Sequence, residues 1–294
     1  MKIKMLDFDL GSHSFRVSTV SADAQRLFDL GLNWCFSFNQ EEGLACFKKA
    51  LEHDPNCAML HWGIVYAAGP FYNMPWTDFS EPEAAVCTSF CRSYLDKATA
   101  LSDVTSPLEK ALINALSQRV QKPHTVSQLE FDAWDDAYAH AMRQVNVDFP
   151  DNQSVMALCV EAMMTRTPWH MWDVKTCLPP KGADTYEAIR LCEYAIGLAG
   201  QRDEEQHPAI LHLHIHLLEM SPEPERAMDS ADRLGGLCPD AGHIQHMPGH
   251  IYVLCGEYEK AKTASEAAIL VNRKYLSYAG PYNFYTTARC HDLH

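Results

Sequence analysis

The chain has 294 residues, 47% of them apolar and 21% charged, enough to bury a sizeable core and far from the composition of a disordered segment. Its 24 Lys and Arg stand against 38 Asp and Glu, a formal charge of -14 that lacks the clustered cations a phosphate-tracking surface needs, so no nucleic-acid partner is expected. The opening MKIKMLDFDLGSHSF has no apolar run of signal length, no later stretch offers about 18 consecutive apolar residues, and the eleven cysteines include no CxxC pair. The sequence thus predicts a cytoplasmic protein with no membrane partner and with reduced, mostly buried thiols.

Residues 25–55 contain LFDLGLNWCFSFNQEEGLACFKKALEHDP, in which Gly31, Trp34, Gly43, Phe47, Ala50 and Pro55 mark one helix–turn–helix unit. The stretch AAGPFYNMPWTDFSEPE (67–83) is rich in Pro, aromatics and Gly and reads as a loop inserted between the two helices of the next unit. Ser106 before Pro107 opens a capped helix, and SQLEFDAWDDAYAHAM follows, with Tyr138, Met142, Val145 and Pro150 in second-helix and closing places. A second insertion is predicted at TRTPWHMWDVKTCLPPKGAD (165–184). The pattern returns at Ala227, Ala231, Leu234 and Pro239, and again at Tyr252, Gly256, Tyr258, Ala261 and Ala268; Ala227 and Ala261 are 34 positions apart. No strand signal rises above background. These spacings resemble the tetratricopeptide repeat, in which each helix pair is too small to bury its own apolar face and stacking supplies the cover. The resemblance implies an all-α solenoid of antiparallel helix pairs with two loop insertions. It is read as a single superhelical domain over 1–294, with clear repeats at about 24–57, 127–151, 209–240 and 242–275.

Seven of the fifteen histidines fall between His207 and His250. If Ala227 and Ala261 hold the same place in successive repeats, His212 matches His246 and His216 matches His250. Residues i, i+4 and i+7 share one helix face, so His212, His216 and Glu219 form one stripe and His243, His246 and His250 another, while His214 points elsewhere. The resemblance implies that these stripes line the concave groove. Helices packed about 8–10 Å apart could then bring imidazoles to a shared metal at about 2.0–2.1 Å. His61 in AMLHWGIVYA either reaches the same groove or packs at an interface beside Trp62. His291 resumes the groove pattern near the end, with His294 after it. The expected ligands are therefore His61, His212, His216, His246, His250 and His291. The expected acid–base groups are Glu219, His243 and Glu161, the last an unusual carboxylate on an apolar face with Arg166 as its expected partner. Pro248, inside the expected helix, predicts a kink or a late start. His13, His53, His124 and His140 read as solvated.

More narrowly, the chain resembles a group of histidine-bearing tetratricopeptide-repeat proteins along nearly its whole length. These show H-x-x-x-H-x-x-E, here His212, His216 and Glu219, then H-x-x-H-M-P-x-H-I-Y, here His243 to Tyr252, then a tyrosine-rich segment with Tyr282 and Tyr285 before His291 and His294. The chain departs from that pattern at His214, often an aromatic, and at His170, often a polar residue. The resemblance implies the fold and no particular reaction. A donor set rich in imidazole suits copper, zinc or iron rather than magnesium or calcium. The favoured expectation is a copper-dependent oxidase or oxygenase acting on a small, aromatic molecule, with Trp62, Trp76, Trp169 and Tyr282 available to hold it. A zinc hydrolase using Glu219 or Glu161 as base, and a non-enzymatic adaptor holding a peptide partner in its groove, stand as alternatives.

Overall fold

The structure, a computed structural model, describes residues 3–293, so His294 lies outside it. It is all-α. The helices are α1 (Ala22–Phe36), α2 (Gln40–Ala50), α3 (Ala58–Ala68), α4 (Glu81–Ala100), α5 (Pro107–Leu116), α6 (Gln128–Asp148), α7 (Gln153–Thr165), α8 (Thr185–Arg202), α9 (Pro208–Leu218), α10 (Met228–Leu234), α11 (Gly242–His246), α12 (Pro248–Leu254), α13 (Tyr258–Ala279) and α14 (Tyr285–His291). Among the described residues there is no strand, only the isolated bridges Phe71 to Met74 and Asp173 to Leu178.

Local chemistry sets the helix starts. Ser21, Asn39, Ser127 and Asn152 each accept a backbone N–H of the first turn, and Ser106 with Glu109 closes a capping box ahead of Pro107. The repeat glycines mark close approach. A Cβ at Gly43 would stand 2.5 Å from Cys35 Sγ and 2.8 Å from the Gly31 carbonyl, so α1 and α2 could not pack as they do with any larger residue there.

Successive helices pack as antiparallel neighbours in two layers. The inner helices α3, α7 and α9 are apolar all round and buried on nearly every face, whereas α4, α6, α8 and α13 bury one stripe each. The superhelix is wound tightly enough that α1 touches α9. Glu42 of α2 accepts hydrogen bonds from Tyr278 (2.8 Å) and Tyr275 (3.3 Å) of α13. The N-terminal segment straps this closure. Asp9 and Asp240 exchange bonds of 2.7 and 2.8 Å, Phe8 packs on Trp34, Tyr275 and Tyr278, and the Ser18 N–H donates to Glu109 at 2.6 Å. The interior is therefore packed rather than an open concave groove, and the histidines expected to line that groove are largely enclosed.

Residues 69–80 join α3 to α4 and residues 166–184 join α7 to α8. Both loops fold back towards α9, bringing Tyr72 and Trp169 against His216. At Pro248 the helix is interrupted rather than restarted: Met247 keeps helical angles (φ -52°, ψ -37°) between α11 and α12, and proline occupies the first position of α12, where its missing N–H leaves no partner wanting.

Candidate metal centre

His212 and His216 face each other one turn apart on α9, and two acceptors that cannot donate fix both rings. His212 Nδ1 lies 2.7 Å from the Phe36 carbonyl, and His216 Nδ1 lies 2.8 Å from Glu219 Oε1. A carbonyl and an ionised carboxylate accept only, so each Nδ1 carries a proton, and each Nε2 carries a lone pair when its ring is neutral. Those two Nε2 atoms are 3.0 Å apart. Ligands at about 2.0–2.1 Å from a tetrahedral ion stand about 3.3 Å from one another, so the separation is close to the edge of a metal tetrahedron. A shared proton is a poor substitute, because burial and the neighbouring His216 and His243 hold the His212 imidazole well below its usual pKa.

The same logic repeats one repeat later. His250 Nδ1 stands 2.5 Å from Glu219 Oε2, a close ion-pair contact rather than an aligned hydrogen bond, and its Nε2 faces His246 Nε2 at 3.0 Å and His291 Nε2 at 3.2 Å. Glu219 thus holds one imidazole of each helix. Burial alone would raise its carboxyl, but His216 and His250 outweigh that and hold it well below the usual carboxylate range. Burial pushes His246 down to about 3 and also lowers His291, helped there by His250.

His243 stands between the two groups. It is buried, neither ring nitrogen has a hydrogen-bond partner, and its ring centre is 5.0 Å from His212, 5.8 Å from His216 and 5.9 Å from His291. Three groupings bring ligand atoms within 4.8 Å of one another: His212, His216 and His243; His246, His250 and His291; and His243, His291 and Asp292. Asp292 is fully buried. Its Oδ2 accepts from Asn272 at 2.8 Å and its Oδ1, otherwise unpartnered, lies 3.5 Å from His243 Nδ1. Burial raises its carboxyl, opposed by Asn272 and the histidines. Tyr285 Oη accepts the His243 N–H at 2.9 Å and seats α14 against α11.

Two aromatic residues wall the histidines in the left-handed region that favours glycine: Phe38 (φ 58°) and Trp169 (φ 61°). Phe38 stacks on His216 and His243 with ring centres 5.4 and 5.6 Å away, and Trp169 meets His216 edge-on at 6.0 Å.

No protein-family description matches the chain, and no curated protein does. Among solved structures, the chain is similar to yeast Tom70 at 15% identity and a TM-score of 0.48, over 91% of this chain and 47% of that one. It is also similar to a chain of Naa15/Naa10 bound to HypK-THB at 14% identity and a TM-score of 0.27, over 86% of this chain and 54% of that one. The chain therefore spans about half the length of each.

The other expected site residues lie elsewhere. His61 turns its Nε2 to the Pro55 carbonyl at 3.0 Å and its ring towards Tyr94 of α4, so it is an interface histidine and joins none of the groupings. Glu161 is buried in an ion pair with Arg119, not Arg166. The guanidinium reaches it at 3.1 and 3.4 Å, the Thr165 hydroxyl donates to it at 2.8 Å, and Arg119 also lies over the Tyr138 ring. Arg166 instead pairs with Asp136 and Asp184. His243, expected as an acid–base group, sits among the candidate ligands. Of the four aromatic residues expected to hold a substrate, Trp62 donates to the Leu112 carbonyl, Trp76 is stacked between Phe79 and Phe131, and Tyr282 is fully exposed. Only Trp169 meets the histidines.

His214 packs outward against Ser230 at 2.9 Å. His13, expected to be solvated, lies with its ring centre 4.0 Å from that of His207, and burial pushes it down to about 4. Phe38 and the Phe36 carbonyl carry no site signal in the sequence. Asp292 could have been picked out only by its place beside His291.

Proposed function

We propose that the convergent histidines hold two transition-metal ions and that the protein is a metal-dependent enzyme acting on a small molecule, with copper the favoured metal and zinc or iron the alternatives. The observation that carries this reading is the pair of lone pairs at His212 and His216, 3.0 Å apart and fixed by acceptors that cannot donate. With both rings neutral the contact is repulsive and deeply buried, and a cation between the two Nε2 atoms relieves it. One ion falls to His212, His216 and His243, the other to His246, His250 and His291. Phe36 and Glu219 hold the far side of three of these rings, the support that metal-bound imidazoles commonly receive.

Three imidazoles suit copper and zinc alike, and what favours copper over a hydrolytic zinc centre is the want of a free base. Both carboxylates expected to act as bases are engaged, Glu219 with two imidazoles and Glu161 with Arg119, so neither is free to take a proton from water. Two neighbouring one-electron metals suit a two-electron oxidation, in which a substrate gives two electrons and two protons to dioxygen and hydrogen peroxide leaves. The chain's own residues then supply placement: Phe38 and Tyr72 keep water from the His212 side, and Glu219 keeps His216 and His250 aimed at their ions.

Metal analysis by mass spectrometry on protein purified without chelator tests the reading. Two equivalents per chain are expected, with a loss of about one in His212→Ala and in His250→Ala. Oxygen uptake with simple phenols, lost on metal removal and restored by copper but not zinc, supports the oxidase. No stoichiometric metal in the wild-type protein sinks both enzyme readings.

A further inference from the structure

The two histidine groupings differ in access. His212, His216 and His243 are enclosed, whereas His246, His250 and His291 form the floor of a cleft of about 680 Å³ between α12, α13 and the loop carrying Trp169. The walls above that floor are apolar: Met220, Val253, Leu254 and Ile269, with Trp169 at the edge. Val253 and Leu254 are each 53% exposed and Trp169 is 42% exposed, so the cleft presents apolar surface to water. Lys262, Ser265 and Glu266 of α13 also line the cleft and add one charge of each sign beside the apolar wall.

We infer that this cleft is the substrate site, and that its occupant is a neutral aromatic molecule of one or two rings presenting a single hydroxyl or amine to the His246, His250 and His291 floor. The apolar walls exclude a peptide, whose backbone brings a donor and an acceptor per residue that these side chains cannot pair. With Glu219 and Glu266 set against Lys262, the cleft gives no net attraction to an anion. Trp169 supplies a ring face or edge against which an aromatic ring packs favourably. The histidines, with Glu219 beside them, concentrate polar groups at one end of the cleft, which fixes the end of the molecule that enters first. Van der Waals walls with a few convergent polar groups at one end are the usual makeup of a small-molecule site. The reacting end of this picture rests on the metal reading above, but the cleft's preference for a neutral ring does not.

The test uses the full-length protein, first stripped with chelator and then reloaded with copper, titrated with 2-naphthol by calorimetry. One equivalent of 2-naphthol is expected to bind both forms, and naphthalene-2-sulfonate at least about tenfold more weakly, since the carboxylates Glu219 and Glu266 outnumber Lys262 at the cleft. Val253→Asp and Ile269→Asp, neither among the grouped ligand residues, are expected to weaken 2-naphthol by about tenfold or more while metal content stays at the wild-type level. Full metal loading without 2-naphthol binding, or binding that neither substitution weakens, overturns the inference and leaves the metal reading intact. Naphthol binding by a protein that takes up no metal supports the cleft and overturns the metal reading alone. A peptide mixture that displaces 2-naphthol from the cleft also overturns the inference.

Discussion

Glu219→Gln tests the geometry most sharply, because it keeps shape and volume and changes one atom's chemistry. The carboxylate faces two imidazole nitrogens, hydrogen-bonding His216 Nδ1 at 2.8 Å and pairing in looser alignment with His250 Nδ1 at 2.5 Å. Glutamine offers one acceptor and one NH2 group, so one imidazole must face a donor with a donor. That ring escapes by moving its proton to Nε2, which removes the lone pair the ion needs, or by turning away. His250 is the freer of the two, its side chain 24% exposed against 1% for His216, so it is expected to give way. Losing the group that orients a ligand lowers metal affinity about 10–100-fold, which is about 1.4–2.8 kcal/mol. Dialysis against graded chelator, with metal per chain counted at each step, is expected to show the ion of His246, His250 and His291 lost about 10–100-fold earlier than in wild type, and the enclosed ion little changed. Two unshifted steps refute the proposed tautomers. Wild-type metal content with turnover abolished would instead return Glu219 to the role of proton acceptor.

Three further outcomes follow from other parts of the molecule. Metal removal is expected to loosen α14, which meets the centre through Tyr285, His291 and Asp292; limited trypsin digestion at Arg289 should then run about tenfold faster or more, and equal rates count against α14 being held by the ion. Burial pushes His214 down to about 4, so between that value and 6.5 the unfolded chain binds more protons than the folded one. Stability is therefore present above about 6.5 and lost as pH falls towards 4, by up to about 3 kcal/mol from this residue. Urea midpoints that do not fall between pH 7 and pH 4.5 refute this. Asp135 has the opposite sign: burial raises it to about 7 despite Arg119, so its stability contribution is present below 3.8 and lost as pH rises through 7. Asp135→Asn is expected to stabilise the protein at pH 8 by about 2–4 kcal/mol and not at pH 3.5, and a lower melting temperature at pH 8 would contradict it.

The repeat was legible because it is local. Gly31, Gly43 and Phe47 are fixed by the contact between α1 and α2, which lie next to each other in the chain, and the same spacing placed His212 and His216 on one face of α9. The i, i+4 pairs are a helix property and needed no tertiary knowledge. How tightly the superhelix closes was not legible, because it depends on small rotations summed over every pair. With α1 brought to α9, the Phe36 carbonyl reaches His212 across 176 positions. Glu161 could not be assigned to Arg119 for the same reason: residues 42 positions apart meet only once α5, α6 and α7 are stacked. The frame also treated the two histidine pairs as facing partners. The structure instead gives each pair a third histidine, His243 for one and His291 for the other, because α14 folds back beside α11.

The chemistry of the centre and the closure of the fold depend on each other. Its groups come from the end of α1 and the loop after it, from α9, from α11 and α12, and from α14, so no pair of neighbouring repeats contains it. Inside the superhelix the histidines hold lone pairs with no donor to meet them, and His243 has both nitrogens unpartnered. An unsatisfied buried polar group costs about 1–3 kcal/mol each, so the metal-free interior works against its own closure. On the proposed reading, a bound ion would convert those lone pairs from a cost into bonds and at the same time tie α9 to α11 and α12 to α14. Phe38 and Trp169 accept left-handed backbone to lie against the same rings, which the surrounding contacts must sustain. If the proposed ions bind, metal binding and the last stage of folding are one equilibrium, and affinity for the ion should fall with any substitution, however distant, that opens the contact between α1 and α9.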